Sequence, residues 1–224
     1  MITARDAGAA VADRLYQIRA QAKNLVRRAP SASYYRGELA PVLLLPGVYE
    51  TWQFLRPVAD RLNALGHPIH TVRELGYNRL SIVASAELAQ RYLDQKNLTG
   101  VVIVAHSKGG LIAKHMMVMD DRAGRIDRLV AINSPFGGST LADWAPVRTL
   151  RAFSPRDETV MTLAANRAAN VRITSIYSRL DPLIPGGSEL EGATNVCLSM
   201  VGHFRPLASP ALFAEVERAV ALGR

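Results

Sequence analysis

The residues with the clearest chemical potential lie in the run Val101-Val-Ile-Val-Ala-His-Ser-Lys-Gly-Gly110. An apolar strand runs directly into Ser107, and a helical pattern follows. A serine hydroxyl is a poor nucleophile at neutral pH. It needs a base to take its proton and a third group to orient that base. Five histidines are available: His67, His70, His106, His115 and His203. His106 adjoins the serine, so its side chain is expected to point elsewhere, and His115 sits about two turns into the following helix. His203 follows the last apolar run in Val201-Gly-His-Phe204, where a glycine gives the loop freedom of approach.

Ala105-His106-Ser107-Lys108-Gly109 resembles the G-x-S-x-G nucleophile elbow, with alanine in the first position. Small residues are needed there because the turn is tight and the helix packs close to the strand. On these residues the chain is similar to the α/β-hydrolase superfamily, in particular its small cap-less bacterial lipases and esterases, over roughly residues 41–222. The resemblance implies the chain order serine, acid, histidine. His203 is then the base, as the one histidine downstream of the elbow turn, strand and acid. Asp181, in Ser178-Arg-Leu-Asp-Pro-Leu-Ile-Pro185, resembles the acid loop of the superfamily. Glu189 and Glu191, on the same loop, are fallback acids. The resemblance also implies an oxyanion hole built from two backbone N–H groups, those of Lys108 and Val48, with Tyr49 the neighbouring candidate. Pro46 stands where the His-Gly-x loop of the superfamily has histidine. The Lys108 side chain is read as solvated.

These residues must be positioned by a sheet. From Pro41 onward, short Val/Ile/Leu runs alternate with helical patterns. Strands are expected at Val42–Leu45, Pro68–Val72, Val101–His106, Arg128–Asn133, Ile173–Ser178 and Asn195–Val201. Helices are expected at Thr51–Leu65, Ser81–Gln95, Lys108–Met119, Glu158–Asn170 and Pro210–Leu222, the last with Ser209 as N-cap. This alternation gives an α/β fold: a doubly wound, mainly parallel sheet of about six strands with an additional N-terminal helix. In such sheets ligands bind at the carboxyl ends of the strands, where the candidate residues fall.

Residues 1–30 form that N-terminal helix, 31–40 a linker, and 41–224 the main domain. Val11, Leu15, Ile18, Ala22 and Leu25 make an apolar stripe between about Ala9 and Arg28. The stripe is expected to pack on the domain, with the charges solvated. A second reading is a basic amphipathic helix on a membrane surface. Between Asn133 and Ile173 there is room for a short lid or apolar wall but not a full helical cap. Leu141, Trp144 and Phe153 are candidate substrate contacts together with Tyr49, although core packing is the first expectation for the three in this segment.

Composition narrows the classes. Of 224 residues, 49% are hydrophobic and 21% charged, which excludes a disordered or collagen-like chain. The formal charge of +8 favours anionic partners, including acidic lipid headgroups, but the basic residues are scattered and lack the aromatic interleaving of a specific nucleic-acid site. The single cysteine, Cys197, allows no intrachain disulfide and is read as a buried core thiol. No secretory leader or membrane span is apparent, so a cytoplasmic location, with peripheral membrane contact as an addition, is expected. No CxxC or HExxH pattern points to a metal, and no cofactor is implied. The expected function is hydrolysis of a small-molecule or lipid ester through an acyl-enzyme on Ser107. The alternatives are an acyltransferase or thioesterase with the same triad, or a non-catalytic binding protein on this fold. Oligomeric state and natural substrate are not legible.

Overall fold

A computed structural model describes residues 4–24 and 29–222. After helix α1 (Ala4–Lys23), six strands alternate with helices. The strands are β1 (Val42–Leu45), β2 (Ile69–Thr71), β3 (Val101–His106), β4 (Ile126–Ile132), β5 (Ile173–Leu180) and β6 (Thr194–Val201). The helices that follow α1 are α2 (Arg56–Ala64), α3 (Ile82–Gln95), α4 (Lys108–His115), α5 (Arg148–Arg151), α6 (Glu158–Ala165) and α7 (Pro210–Ala221). The sheet order is β2-β1-β3-β4-β5-β6 and every pairing is parallel.

Parallel strands covered on both faces must be apolar throughout. In β1 and β3 successive side chains alternate between two cores. Leu43, Leu45, Ile103 and Ala105 pack with α3 and α4. Val42, Leu44, Val102 and Val104 pack with α2 and α7 on the other face. All eight are essentially inaccessible, and each large side chain so buried contributes roughly 1.5–3 kcal/mol. The chain leaves β1 toward β2 and then crosses back to β3, so the strand order reverses between β1 and β3. That is the crevice where doubly wound sheets bind ligands.

Several boundaries differ from expectation. The start of the expected second helix is instead a four-residue 3-10 turn, Trp52–Leu55, with Thr51 as its N-cap residue, because Pro57 lacks an N–H and sits best in the first α-helical turn. α4 loosens into a π-helical turn at Met116–Asp120. Residues 168–172 are 3-10 rather than part of α6. Between β4 and β5 lie two 3-10 turns (Thr140–Trp144 and Ala168–Arg172), α5, α6 and connecting loops, a low wall rather than a cap.

The N-terminal helix reverses the expected orientation. Val11, Leu15 and Ile18 are 62%, 50% and 58% exposed, whereas Asp6 and Asp13 are buried. Polar anchors dock this helix: Asp6 pairs with Arg179 at 2.6 Å, and Asp13 accepts backbone N–H groups of the main domain. Leu25, Arg27 and Arg28 lie outside the described residues. Cys197 is exposed, not buried, because β6 is an edge strand whose outer face has no cover. Among the described residues no helix is long and apolar enough to cross a membrane.

Candidate active site

Ser107 ends β3 and caps α4 with φ 52° and ψ −120°. A non-glycine residue in this region is strained, and such strain persists only where the surroundings enforce it. The enforcement is visible in the glycines. A Cβ on Gly109 would lie 2.0 Å from the Leu45 carbonyl oxygen, and one on Gly110 would lie 2.1 Å from the Ser134 hydroxyl. α4 therefore packs hard against the ends of β1 and β4, and the serine is pushed out above the sheet.

His203 follows β6, and Asp181 follows β5. His203 Nδ1 lies 2.6 Å from Asp181 Oδ2, with both side chains buried. A carboxylate only accepts, so Nδ1 carries the proton and Nε2 is left as the acceptor. The second Asp181 oxygen accepts from the Leu183 amide at 2.8 Å, which fixes the carboxylate. Ser107 and His203 line one cavity of about 270 Å³ at the carboxyl ends of the strands. The structure thus brings Ser107, Asp181 and His203 to one place. Glu189 and Glu191 are on the surface, the latter paired with Arg167, and neither reaches His203.

The loop after β1 closes the other side. Glu50 Oε2 accepts from the Gly47 amide at 2.9 Å, and the resulting tight turn puts Tyr49 at φ 59°. Val48 and Tyr49 line the cavity together with Leu183 and Ile184. Lys108 opens α4, so its backbone N–H has no acceptor within the helix. Val48 thus lines the cavity that Ser107 lines, and Lys108 follows the serine as the first residue of α4.

The Lys108 side chain is not solvated. It is buried and donates to the carbonyls of Asn78 and Leu80, and burial pushes its pKa down to about 8. It braces the loop before α3 instead of meeting substrate. Leu141 and Phe153 line the cavity, Phe153 as a buried wall and Leu141 half exposed. Trp144 stays outside and is 89% exposed, so core packing is wrong for it.

Sequence reading missed a second set of residues. His106 is fully buried, with Nδ1 2.9 Å from Glu50 and Nε2 3.0 Å from the His203 carbonyl. Both partners are acceptors, so both bonds require the doubly protonated ring. Burial opposes that charge most strongly, but the Glu50 carboxylate, the His203 carbonyl and the charge of Asp181 together outweigh it and raise the His106 pKa. Asn133, at φ 45°, also donates to the His203 carbonyl at 2.9 Å. Asp13 accepts the amides of His203, Phe204 and Arg205. The one signal in the sequence was Glu50 itself, a lone acid in an apolar loop. Among the described residues, no group of three or more His, Cys, Asp or Glu side chains is placed to hold a metal ion.

Comparison with known proteins agrees with this architecture. The sequence profile of the PGAP1-like alpha/beta domain matches residues 56–180. No curated protein matches the chain in sequence. Among solved structures, the mature lipase BlEst2 of Bacillus licheniformis superposes with TM-score 0.64 at 12% identity, covering 86% of this chain and 94% of that one. An α/β-hydrolase fold protein of Burkholderia ambifaria gives 0.63 at 16% identity, with 84% and 92% covered. An extracellular α/β-hydrolase of a Paenibacillus species gives 0.56 at 17%, with 83% and 100% covered. At these identities the likeness is one of fold.

Proposed function

The chain belongs to the PGAP1-like alpha/beta domain family, within the α/β-hydrolase superfamily, and from that premise we propose that it hydrolyses carboxylic esters through an acyl-enzyme on Ser107. One observation carries the proposal. The buried Asp181–His203 pair, at 2.6 Å, opens on the same cavity as a serine held at φ 52°. His203 Nε2 takes the Ser107 proton as Oγ attacks the ester carbonyl. The imidazolium that forms is stabilised by the Asp181 carboxylate. The N–H groups of Val48 and Lys108 receive the oxyanion. His203 then protonates the leaving alcohol, and the same steps with water release the acid.

The cavity wall of Val48, Leu141, Phe153, Leu183 and Ile184 suits an acyl chain. Two of the segments that line the cavity also carry exposed apolar side chains. Arg14, Gln17 and Gln21 of α1 line the cavity, and Val11, Leu15 and Ile18 lie next round the helix, away from the domain. Leu141, which lines the cavity, and nearby Trp144 and Val147 are exposed as well. With a net charge of +8, this rim supports an ester presented at an anionic lipid surface.

A p-nitrophenyl ester series tests the reaction. Turnover that Ser107→Ala abolishes supports it. Turnover of acyl-thioesters alone would favour the thioesterase reading, and no turnover of any acyl donor would favour a binding protein. Flotation on phosphatidylglycerol and phosphatidylcholine vesicles tests the rim. Leu15→Asp with Ile18→Asp should weaken binding to the anionic vesicles; unchanged binding would remove the lipid surface from the account.

A further inference from the structure

We infer that Asp13, on the N-terminal helix, is a positioning residue for His203, an inference that rests on the reading of His203 as the base. The Asp13 carboxylate is buried at 5% exposure. Its Oδ2 accepts from the His203 amide at 3.0 Å, and its Oδ1 from those of Phe204 at 2.8 Å and Arg205 at 2.7 Å. These amides lead into the 3-10 turn Arg205–Ala208, whose first N–H groups have no acceptor of their own within the turn. Charge-assisted bonds to a carboxylate are about twice as strong as neutral ones, and three of them converge here.

The opposite side of the same peptide is held as firmly. The His203 carbonyl accepts from His106 and from Asn133. The side chain that must meet Ser107 therefore hangs from a peptide held at both its N–H and its C=O. Gly202 shows how closely the helix fits: with φ 127°, a Cβ there would lie 2.5 Å from Asp13 Oδ1. Asp6 anchors the same helix to Arg179, on β5. The two acids separate docking of the helix from placement of the histidine.

A displacement of about 1 Å in a catalytic group costs on the order of 100-fold in rate. Asp13→Asn keeps the shape but turns an amide donor or a weaker oxygen toward the three N–H groups. It should lower kcat on a short p-nitrophenyl ester by roughly 30- to 100-fold, leave KM within about 3-fold, and slow fluorophosphonate labelling of Ser107 in parallel. Gly202→Ala, which retains the carboxylate but presses on it, should give the same split, and serves where Asp13→Asn does not fold. Asp6→Asn should lower the unfolding temperature yet hold kcat within about 2-fold. An unchanged kcat in folded Asp13→Asn, or an equal loss in Asp6→Asn, would overturn the inference. His203→Ala separates the two levels. If it retains activity, the base assignment fails. If it is inactive while Asp13→Asn is unimpaired, only the positioning role fails.

Discussion

Glu50 meets His106 at 2.9 Å beneath the site, as a buried carboxylate and imidazolium with hardly any exposed surface. The pair links the turn of the β1–α2 loop, through Gly47, to the peptide of His203. Glu50→Gln removes the counter-ion from a buried charge. We expect a loss of about 3–5 kcal/mol in unfolding free energy. The His106 pKa is raised, so the contribution of the pair is present below the ordinary 6.5 and is lost as pH rises through the higher folded-state value. Urea unfolding of wild type and Glu50→Gln at pH 6 and pH 9 should show the difference shrinking at pH 9. A constant difference would contradict a charged His106.

Asp181→Asn replaces an acceptor facing His203 Nδ1 with an amide that can favour the wrong tautomer. Ester turnover should fall by roughly 10³- to 10⁴-fold with little change in the unfolding temperature. Steady-state kinetics beside a thermal melt checks this. A loss below about 10-fold would displace Asp181 from its role.

Glycine substitutions divide sharply by place. Gly109→Ala sets a Cβ 2.0 Å from a backbone oxygen of β1 and should cost about 3 kcal/mol or more. Gly8, in α1, meets nothing within 4 Å, and Gly8→Ala should stabilise by about 0.5–1 kcal/mol. Chemical denaturation of both variants tests the packing of the elbow turn.

Lys114 is buried on α4, its Nζ has no hydrogen-bond partner among the described residues, and it lies 5.9 Å over the Phe136 ring. Burial, and then the charge of Arg167, push its pKa down to about 8. Between about 8 and the ordinary 10.5 the unfolded chain holds more protons, so stability rises with pH there. Lys114→Met should stabilise the fold at pH 7 by about 1–3 kcal/mol and flatten that rise. Urea unfolding at pH 7 and pH 9.5 reads both effects.

The parts legible in the sequence are those that local pattern dictates. β1 and β3 read correctly to the residue because strands of a parallel sheet are apolar on both faces. Ser107 read correctly as a strand-to-helix serine because steric limits restrict its flanks to small residues. The failures have another origin. Asp13 lies 190 residues from the amide it binds, and Glu50 lies 56 from His106. No periodicity reports such a pairing. The same polar contacts turned α1 over, since three backbone donors needing an acceptor outweighed burial of Val11, Leu15 and Ile18. Lys108 misled in the same way: lysine is rarely buried, and nothing local announces the carbonyls of Asn78 and Leu80 that hold it.

The central claim is that Ser107 is an activated nucleophile. Reaction of the folded protein with a fluorophosphonate, followed by peptide mass spectrometry, tests it most directly. The account predicts one adduct per chain, on Ser107, lost in Ser107→Ala and strongly slowed in His203→Ala. A folded protein that takes up no label, or that carries it on another residue, would contradict it.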